Sequence, residues 1–295
     1  MSLCLSIVRR WPKRNIKRYG VIQMLTLTDQ DFQRLYIYIK QNYGIDLSKK
    51  KQLIVSRLSH TLAAQGFSDF KAYVDEILSG RDTDMVTAML NKLTTNYTYF
   101  LREEAHFKYF QDIVLPDLER KHARDKSLSI WSAGCSSGQE PYTISMFLLE
   151  YFGSKASQWD TRILATDISN KILDEAIHAV YPEESMEPLP PAWKKKYFVK
   201  AGGGKCTVSP ALKKNVIFRP FNLMDPINFK RKFDLIFCRN VMIYFDQDTK
   251  DALVRRFYNA TVPGGHLFIG HSEGLTKATC PYEYIQPAIY KKTAR

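Results

Sequence analysis

Short apolar runs alternate with helical patterns in the second part of the chain, and this alternation limits the possible folds more than any other feature. The runs SLSIWSAG and TRILATD precede helical patterns over residues 139–152 and 169–180. VIFRPFNL and FDLIFCRN follow, then a helical pattern over 246–260 and the runs HLFIGHS and YEYIQPAIYKK. Strands that alternate with helices in this way form a parallel sheet. The sequence therefore predicts a doubly wound α/β domain over residues 128–295.

The pattern of apolar runs is interrupted over residues 181–215. A proline-rich stretch there is followed by two short strand patterns, YFVK and CTVS, on either side of the glycines at 202–204. Glycines between two short strands are typical of a β-hairpin. We therefore expect a small antiparallel β insertion at about residues 181–215. We also expect a turn at Pro263, Gly264 and Gly265, before the HLFIGHS strand.

The first part of the chain has helical periodicity. Thr28 is followed by apolar residues at the spacing of one buried stripe, and that stripe ends at Gly44. Three more patterns of this kind follow, over residues 48–66, 68–80 and 82–93. We predict an all-helical domain over residues 25–93, which a linker and connecting helix at 94–127 joins to the α/β domain.

The chain is strongly basic. Its formal net charge of +13 favours nucleic acid, anionic membranes or acidic protein surfaces as partners, without choosing among them. Six of the basic residues precede Met24, in a segment with no amphipathic period: Arg9, Arg10, Lys13, Arg14, Lys17 and Arg18. We expect residues 1–24 to be a disordered extension. It is either an arm for anionic surfaces or a segment before a natural start at Met24.

Cysteine, histidine and hydropathy patterns exclude several classes of protein. The five cysteines are scattered and form no CxxC pair, so we interpret them as reduced thiols. The six histidines lack the spacing of a structural zinc site, and we predict no metal. No run approaches the ~18–20 apolar residues of a membrane span. We expect a cytoplasmic protein that does not insert into membranes.

A loop of small residues is the strongest indication of a ligand site. The segment SAGCSSGQEP connects the first strand to the helix after it, and small side chains allow a ligand to approach the backbone. Asp167 ends the next strand, where a carboxylate accepts hydrogen bonds from both hydroxyls of a ribose. The loop contains neither GxGxxG nor the GK[ST] of a P-loop. S-adenosylmethionine is therefore the cofactor that remains, unless the loop serves packing alone.

Two further clusters of polar and aromatic residues are candidates for the site. TTNYTYFLRE lies at the junction of the two domains, where clefts commonly form; the alternative is that its polar residues cap a helix. CRNVMIYFD follows a buried strand, at the edge where open α/β sheets bind ligands. Tyr244 is a candidate to reach a substrate from there. The alternative is that it packs against the following helix, which Asp246 caps.

Six motifs together indicate a family. In chain order, TTNYTYFLRE, WSAGCSSGQEPYT, ATDIS, FNLMDP, FDLIFCRNVMIYFD and GGHLFIGHSE resemble motifs of the CheR-type chemoreceptor glutamate methyltransferases. The resemblance extends over about residues 25–290. It implies a Rossmann-like class I methyltransferase sheet, an N-terminal all-helical domain and a small antiparallel β insertion. Two positions depart from the family: Gln139 replaces a common glutamate, and Leu101 replaces a common phenylalanine.

The resemblance also implies a set of cofactor-binding residues. The family's positions correspond to Asn96, Thr98, Arg102, Glu140, Asp167, Asn222, Leu223, Arg239 and Asn240. By its chemistry, Asp167 suits the ribose and Glu140 suits the cationic amino group of the methionine part. Asn222 and Leu223 suit the edge and the face of the adenine. The alternative for Arg239 is a structural ion pair.

The implied reaction is methyl transfer from S-adenosylmethionine to glutamate side chains on the cytoplasmic helices of chemoreceptors, with S-adenosylhomocysteine as the second product. A glutamate carboxylate is already anionic at neutral pH, so this reaction needs alignment more than a strong base. Arg102 and Tyr244 match the family positions nearest the transferred methyl group. We predict that they are the catalytic positioning residues, and we expect the protein to be a monomer.

Two other functions are alternatives to this one. The basic charge suits an RNA methyltransferase, but the sequence lacks the [DN]PP[YFW] motif of amino-group methylation, and its basic patch lacks interleaved aromatic residues. We therefore expect no nucleic acid partner. The other alternative is a catalytically silent module that binds the cofactor or the receptor. The intact set of cofactor residues and Tyr244 disfavour it.

The helical pattern over residues 48–66 has a basic face. On a helix that starts after a Ser48 cap, one arc opposite the apolar stripe contains Lys49, Lys50, Arg57 and His60. The lysines of the first turn lie where the helix macrodipole disfavours cations, so helix stability does not explain them. We predict that Lys49, Lys50 and Arg57 bind an acidic receptor helix bundle. The alternative is a solvated surface.

Overall fold

The computed structural model describes residues 26–94 and 97–293. The basic extension at 1–24, with Met24, lies outside the described residues, and so does Asn96. Every helix within the two described ranges is too short or too polar to cross a membrane.

Residues 26–94 form four helices: α1 (Asp29–Tyr43), α2 (Lys51–Ala64), α3 (Phe70–Ser79) and α4 (Thr83–Leu93). Thr28 caps α1, because its hydroxyl oxygen accepts a hydrogen bond from the Asp31 backbone nitrogen at 3.1 Å. Gly44 follows α1 with a left-handed φ of 73°, which glycine adopts without strain. Both predicted ends of α1 are confirmed. Asp69 and Asp82 cap α3 and α4 in the same way as Thr28 caps α1.

Helix α2 begins later than the sequence predicts, and the predicted Ser48 cap is wrong. The Asp46 carboxylate accepts a hydrogen bond from the Ser48 backbone nitrogen at 3.0 Å, which forms a turn ahead of the helix. Helix α2 then begins at Lys51, with Lys50 in the position before it. Lys49 and Lys50 therefore precede the helix, and they do not belong to the arc on its surface that the sequence predicts.

The strands within residues 97–293 are β1 (Ile130–Ala133), β2 (Ile163–Asp167), β3 (Val180–Pro182), β4 (Phe198–Gly202), β5 (Lys205–Val208), β6 (Val216–Pro220), β7 (Phe233–Cys238), β8 (Thr261–Ile269), β9 (Glu283–Gln286) and β10 (Ile289–Lys291). Seven of them form one sheet in the order β6-β2-β1-β7-β8-β10-β9. The strands from β6 to β8 in this order are parallel, and β10 is antiparallel to both of its neighbours. The predicted doubly wound parallel sheet is confirmed.

Two further helices precede β1, namely α5 (Glu104–Tyr109) and α6 (Leu115–Lys121). The helices that connect the strands are α7 (Gln139–Phe152), α8 (Asn170–His178), α9 (Pro191–Tyr197), α10 (Pro210–Lys214) and α11 (Gln247–Ala260). Between α5 and α6 the chain forms a π-helical segment, Phe110–Val114. The predicted helix after the small-residue loop is confirmed as α7. Asp246 caps α11, as the alternative interpretation of this segment states, because its carboxylate accepts a hydrogen bond from the Thr249 backbone nitrogen at 3.0 Å.

The helical part and the sheet share a hydrophobic core. All residues of β1 and β7 are buried, as expected for central strands that are covered on both faces. One apolar cluster joins side chains of α1 to α4 to one face of the sheet, where Trp131 and Phe257 are fully buried. Ile45 and Phe245 also pair as a β-bridge. The loop between α1 and α2 is therefore held against the loop that follows β7.

Strands β3, β4 and β5 form a second, antiparallel sheet in the order β3-β5-β4. The predicted hairpin is confirmed as β4 and β5, whereas β3 begins where the sequence predicts the end of a helix. That helix, α8, ends at His178 because Ala179 adopts a left-handed φ of 52°. The predicted turn at Pro263, Gly264 and Gly265 is wrong. These residues lie within β8, where its pairing with β7 shifts register, so the turn signal marks a bulge.

Candidate active site

A cleft of about 360 Å³ opens at the carboxyl ends of β1, β2 and β7, between the sheet and the helical part. Open α/β sheets bind ligands at this edge. Most of the residues predicted for cofactor binding or catalysis line the cleft: Thr98, Arg102, Glu140, Asp167, Asn222, Leu223, Arg239, Asn240 and Tyr244. These residues come from five separate segments of the chain, and the fold brings them to one place.

The loop after β1 has a backbone geometry that requires small residues. Gly134 has a φ of 80°, and a Cβ atom there would lie 2.4 Å from Val241 Cγ2. The backbone nitrogens of Gly134 and Cys135 donate to the Thr166 carbonyl oxygen at 2.8 and 2.9 Å. The loop is therefore packed tightly between the end of β2 and the segment after β7. Its small residues serve packing as well as access to the cleft.

Asp167 is held rigidly at the end of β2. Its two carboxylate oxygens accept hydrogen bonds from the backbone nitrogens of Ser136, at 2.9 Å, and Ser169, at 3.1 Å. Burial raises the pKa of this carboxyl group, and the backbone hydrogen bonds oppose that rise. Each carboxylate oxygen has a second lone pair for another donor. A carboxylate fixed in this way fits the paired hydroxyls of a ribose.

A buried arginine links the end of β7 to the start of α7. Arg239 Nη1 donates to Glu140 Oε2, and Arg239 Nη2 donates to Glu103 Oε2, both at 3.0 Å. The same Nη2 donates to the backbone carbonyl of Arg102, while Glu140 Oε1 accepts a hydrogen bond from Ser132 Oγ at 2.7 Å. The Arg239 side chain is only 2% exposed. The ion pair considered as the alternative for Arg239 is therefore present.

Glu103 is a residue of this site that the sequence reasoning missed. A signal for it existed, because a buried arginine at the end of a central strand needs carboxylate partners. Glu103 also stands directly after Arg102 in the junction motif. The next residue is Glu104, however, and the helical pattern does not say which of the two glutamates faces the sheet. The structure leaves Glu104 exposed and turns Glu103 inward.

Arg102 and Tyr244, the two residues predicted to position the substrate, both lie on the walls of the cleft. Arg102 Nη1 donates to the Tyr97 carbonyl oxygen at 2.8 Å, and the guanidinium carbon lies 5.9 Å from the centre of the Tyr99 ring. Tyr244 ends the 3-10 turn Met242–Tyr244. Its backbone carbonyl accepts a hydrogen bond from the Asp46 nitrogen at 2.8 Å, so the helical part fixes the backbone that carries the phenol.

The residues matched to the adenine lie where the helical part meets the sheet. Asn222 Nδ2 donates to the Asn42 carbonyl oxygen at 2.7 Å, and Asn222 Oδ1 accepts a hydrogen bond from the Met224 nitrogen at 3.0 Å. Leu223 is largely buried and contributes an apolar wall. Asn222 therefore joins the end of α1 to the cleft, and Leu223 is the better suited of the two to contact an adenine face.

The predicted substrate-binding residues lie on the helical part, away from the lining of the cleft. Lys49 and Lys50 are exposed in the turn before α2. Arg57 lies on α2, but its Nη1 donates to the carbonyl oxygens of Lys92, at 3.0 Å, and Leu93, at 3.1 Å. These carbonyls end α4 and have no partners within their own helix. Arg57 thus stabilises the end of α4, a contact that its charge pattern does not reveal.

Comparison with known proteins gives matches over both parts of the chain. The sequence matches the family model "CheR methyltransferase, all-alpha domain" over residues 30–94 and the model "CheR methyltransferase, SAM binding domain" over residues 96–290. A "Chemotaxis protein methyltransferase" of Borreliella burgdorferi is 42% identical over 272 residues, which cover 91% of this chain and 96% of that protein. The protein of that name from Escherichia coli K12 is 36% identical, over 86% of this chain and 87% of that protein.

Proposed function

The chain belongs to the CheR methyltransferase family, and from that premise we propose that it methylates glutamate side chains on the cytoplasmic helices of chemoreceptors. It is an S-adenosylmethionine-dependent methyltransferase of chemotaxis. This membership supports neither an RNA methyltransferase nor a catalytically silent module. The observation that carries the proposal is the convergence of Arg102, Glu140, Asp167 and Tyr244 on one cleft.

The residues of the cleft suit S-adenosylmethionine, which supplies an electrophilic methyl group when it is bound. Asp167 offers two fixed carboxylate oxygens for the ribose hydroxyls. Glu140 offers a carboxylate for the amino group of the methionine part. Hydrogen bonds from Ser132 and Arg239 fix the orientation of that carboxylate. Leu223 offers an apolar surface for the adenine.

The remaining groups of the cleft suit a carboxylate acceptor. Arg102 provides a positive charge that attracts a glutamate side chain. A hydrogen bond from the Tyr244 phenol to one carboxylate oxygen holds the group in place and leaves the second oxygen as the nucleophile. The carboxylate is anionic at neutral pH, so proton removal is not required. Alignment is then the main contribution of these two residues.

Incubation with S-adenosylmethionine labelled in its methyl group, together with receptor cytoplasmic fragments, tests the reaction. Glutamyl methyl esters release methanol in alkali, whereas N-methyl groups stay on the protein. We expect label on the receptor fragment that alkali converts to volatile methanol. Label that survives alkali contradicts carboxylate methylation, and absence of label on the receptor contradicts the proposed substrate.

We also propose that Lys49 and Lys50 attract the acidic receptor helices to the cleft. Both side chains are exposed, and opposite charges accelerate encounter in a way that salt screens. Arg57 is a weaker candidate for this role because its guanidinium contacts the end of α4.

Reversal of both charges, with Lys49→Glu and Lys50→Glu, tests this surface. We expect slower receptor methylation at low ionic strength, with the difference from the parent protein shrinking as salt rises, and unchanged affinity for S-adenosylhomocysteine. The matched control is Lys230→Glu with Lys232→Glu. These exposed lysines lie just before the amino end of β7, whereas the cleft lies at the carboxyl ends of the strands. Equal rates for the parent and the Lys49 and Lys50 variant contradict the proposal.

A further inference from the structure

Glu103 lies behind the cleft in an uncommon backbone conformation. Its φ is 58°, and that of Leu101 is 59°, in the left-handed region that residues other than Gly, Asn and Asp rarely adopt. The Glu103 side chain is 13% exposed, and its Oε2 accepts a hydrogen bond from Arg239 Nη2 at 3.0 Å. Its Oε1 accepts from the His271 backbone nitrogen at 3.2 Å and from Asn240 Nδ2 at 3.4 Å. The carboxylate is therefore held by three donors from two segments, the end of β7 and the loop after β8.

The charges around Glu103 do not cancel. Burial alone raises the pKa of Glu103, but Arg239 and the hydrogen bonds outweigh it, so the pKa lies below its ordinary value. His106 Nδ1 lies 3.3 Å from Glu103 Oε2, and burial, with the nearby Arg239 charge, lowers the pKa of His106 to about 3. At neutral pH His106 is therefore uncharged. Glu103, Glu140 and Arg239 then form a buried cluster with one excess negative charge.

The rest of the charged lining does not alter this balance. Arg102 and Asp167 line the same cleft with opposite charges. Without Glu103, the buried cluster would consist of Arg239 and Glu140 alone, and its net charge would be zero. Arg239 would also have Glu140 as its only carboxylate partner among the described residues. Glu103 therefore supplies the excess negative charge of this cluster, next to the buried Glu273, whose carboxylate accepts a hydrogen bond from the Asn240 backbone nitrogen at 2.9 Å.

Building on the proposed function, we propose that Glu103 makes the site favour the cationic methyl donor over the product that remains after transfer. S-adenosylmethionine carries a sulfonium, and S-adenosylhomocysteine carries a neutral thioether in its place. The two ligands share the ribose, the adenine, the amino group and the carboxylate, so contacts to those groups stabilise both. A fixed negative charge behind the cleft stabilises the sulfonium form selectively. Glu103 is thus a positioning residue that acts through Arg239 and Glu140 and through its charge.

Two substitutions of the same shape separate the charge from the packing. Asp and Asn adopt left-handed φ more readily than Glu, so Glu103→Asp and Glu103→Asn keep the backbone and differ by one charge. We expect Glu103→Asn to weaken S-adenosylmethionine binding roughly ten-fold more than S-adenosylhomocysteine binding, relative to Glu103→Asp. At an effective dielectric constant near 20, Coulomb's law gives an effect of about this size for a unit charge at a separation of roughly 10 Å.

Calorimetric titration of each variant with both ligands, at one pH and one salt concentration, gives the ratio of the two dissociation constants. Glu104→Gln is the control, because this exposed neighbour makes the same change in net charge, and we expect it to leave the ratio as in the parent protein. Parent and Glu103→Gln form a second pair, should either shorter side chain prevent folding. A merely structural role would weaken both ligands equally and leave the ratio unchanged.

Equal ratios for Glu103→Asp and Glu103→Asn would overturn the inference, and so would a change of the same size in Glu104→Gln. Failure of the proposed function has a different signature. In that case the parent protein transfers no alkali-labile methyl groups to receptor fragments, whatever its ratio of affinities. A parent that methylates receptor but shows no charge effect at Glu103 contradicts this inference alone.

Discussion

Replacement of Asp167 by alanine is the sharpest test of the cofactor site. The carboxylate lies at the end of β2 and accepts two backbone hydrogen bonds, which leaves a lone pair on each oxygen for the ribose. Two hydrogen bonds to a charged acceptor, each worth about 1.5–3 kcal/mol, sum to about 3–6 kcal/mol. In the variant, hydrogen bonds from the ribose hydroxyls to water recover part of this free energy. We therefore expect S-adenosylhomocysteine to bind at least about 100-fold more weakly, a loss of about 2.8 kcal/mol.

The same substitution also affects stability, which must be measured beside affinity. Alanine leaves the backbone nitrogens of Ser136 and Ser169 without their carboxylate acceptor, and a buried donor without a partner costs about 1–3 kcal/mol. Thermal unfolding followed by circular dichroism gives this cost in the absence of ligand. Calorimetric titration at a temperature where the variant is folded then gives the affinity.

Asp160→Ala is the matched control for Asp167→Ala. Asp160 lies just before the amino end of β2, away from the cleft, and its carboxylate pairs with the exposed Arg162 at 2.8 Å. We expect this variant to bind S-adenosylhomocysteine as the parent does. A folded Asp167→Ala variant with unchanged affinity would refute the assignment of the ribose to Asp167, and with it the argument that the end of β2 orients the cofactor.

Features determined within one segment of the chain were predictable from the sequence. Thr28 and Gly44 mark the ends of α1, because a cap and a left-handed residue act within a single turn. The buried runs that became β1 and β7 follow from burial on both faces of a parallel sheet. The edge of the sheet that carries the cleft follows from the topology. Asp167 was therefore identified from its place at the end of β2.

Features that depend on contacts between distant segments were not predictable in this way. The ion pair of Glu103 with Arg239 joins a residue before β1 to a residue after β7, 136 positions further along the chain, and no periodicity relates them. Arg57 has a basic side chain on the surface of α2, yet it donates hydrogen bonds to the carbonyl oxygens at the end of α4. The predicted start of α2 is wrong for a local reason. The Asp46 carboxylate accepts a hydrogen bond from the Ser48 nitrogen, which forms a turn where the sequence predicts a cap.

Two further predictions concern the loop after β7. Tyr244→Phe should lower kcat about ten-fold, the effect of one lost hydrogen bond to the acceptor, and leave S-adenosylhomocysteine affinity nearly unchanged; initial rates and titration decide this, and full turnover would make Tyr244 a packing residue. Lys40 Nζ lies 2.6 Å from Asp246 Oδ2, and hydrogen bonds from Lys40 and then Thr249 lower the pKa of Asp246 from 3.8 to about 2. Because the pKa is lower in the folded protein, this pair stabilises the fold fully above about pH 4 and loses its effect as pH falls toward 2. Lys40→Met should therefore lower Tm clearly more at pH 5 than at pH 2.5. An equal difference at both pH values would contradict a role for this ion pair in holding the helical part against the cleft.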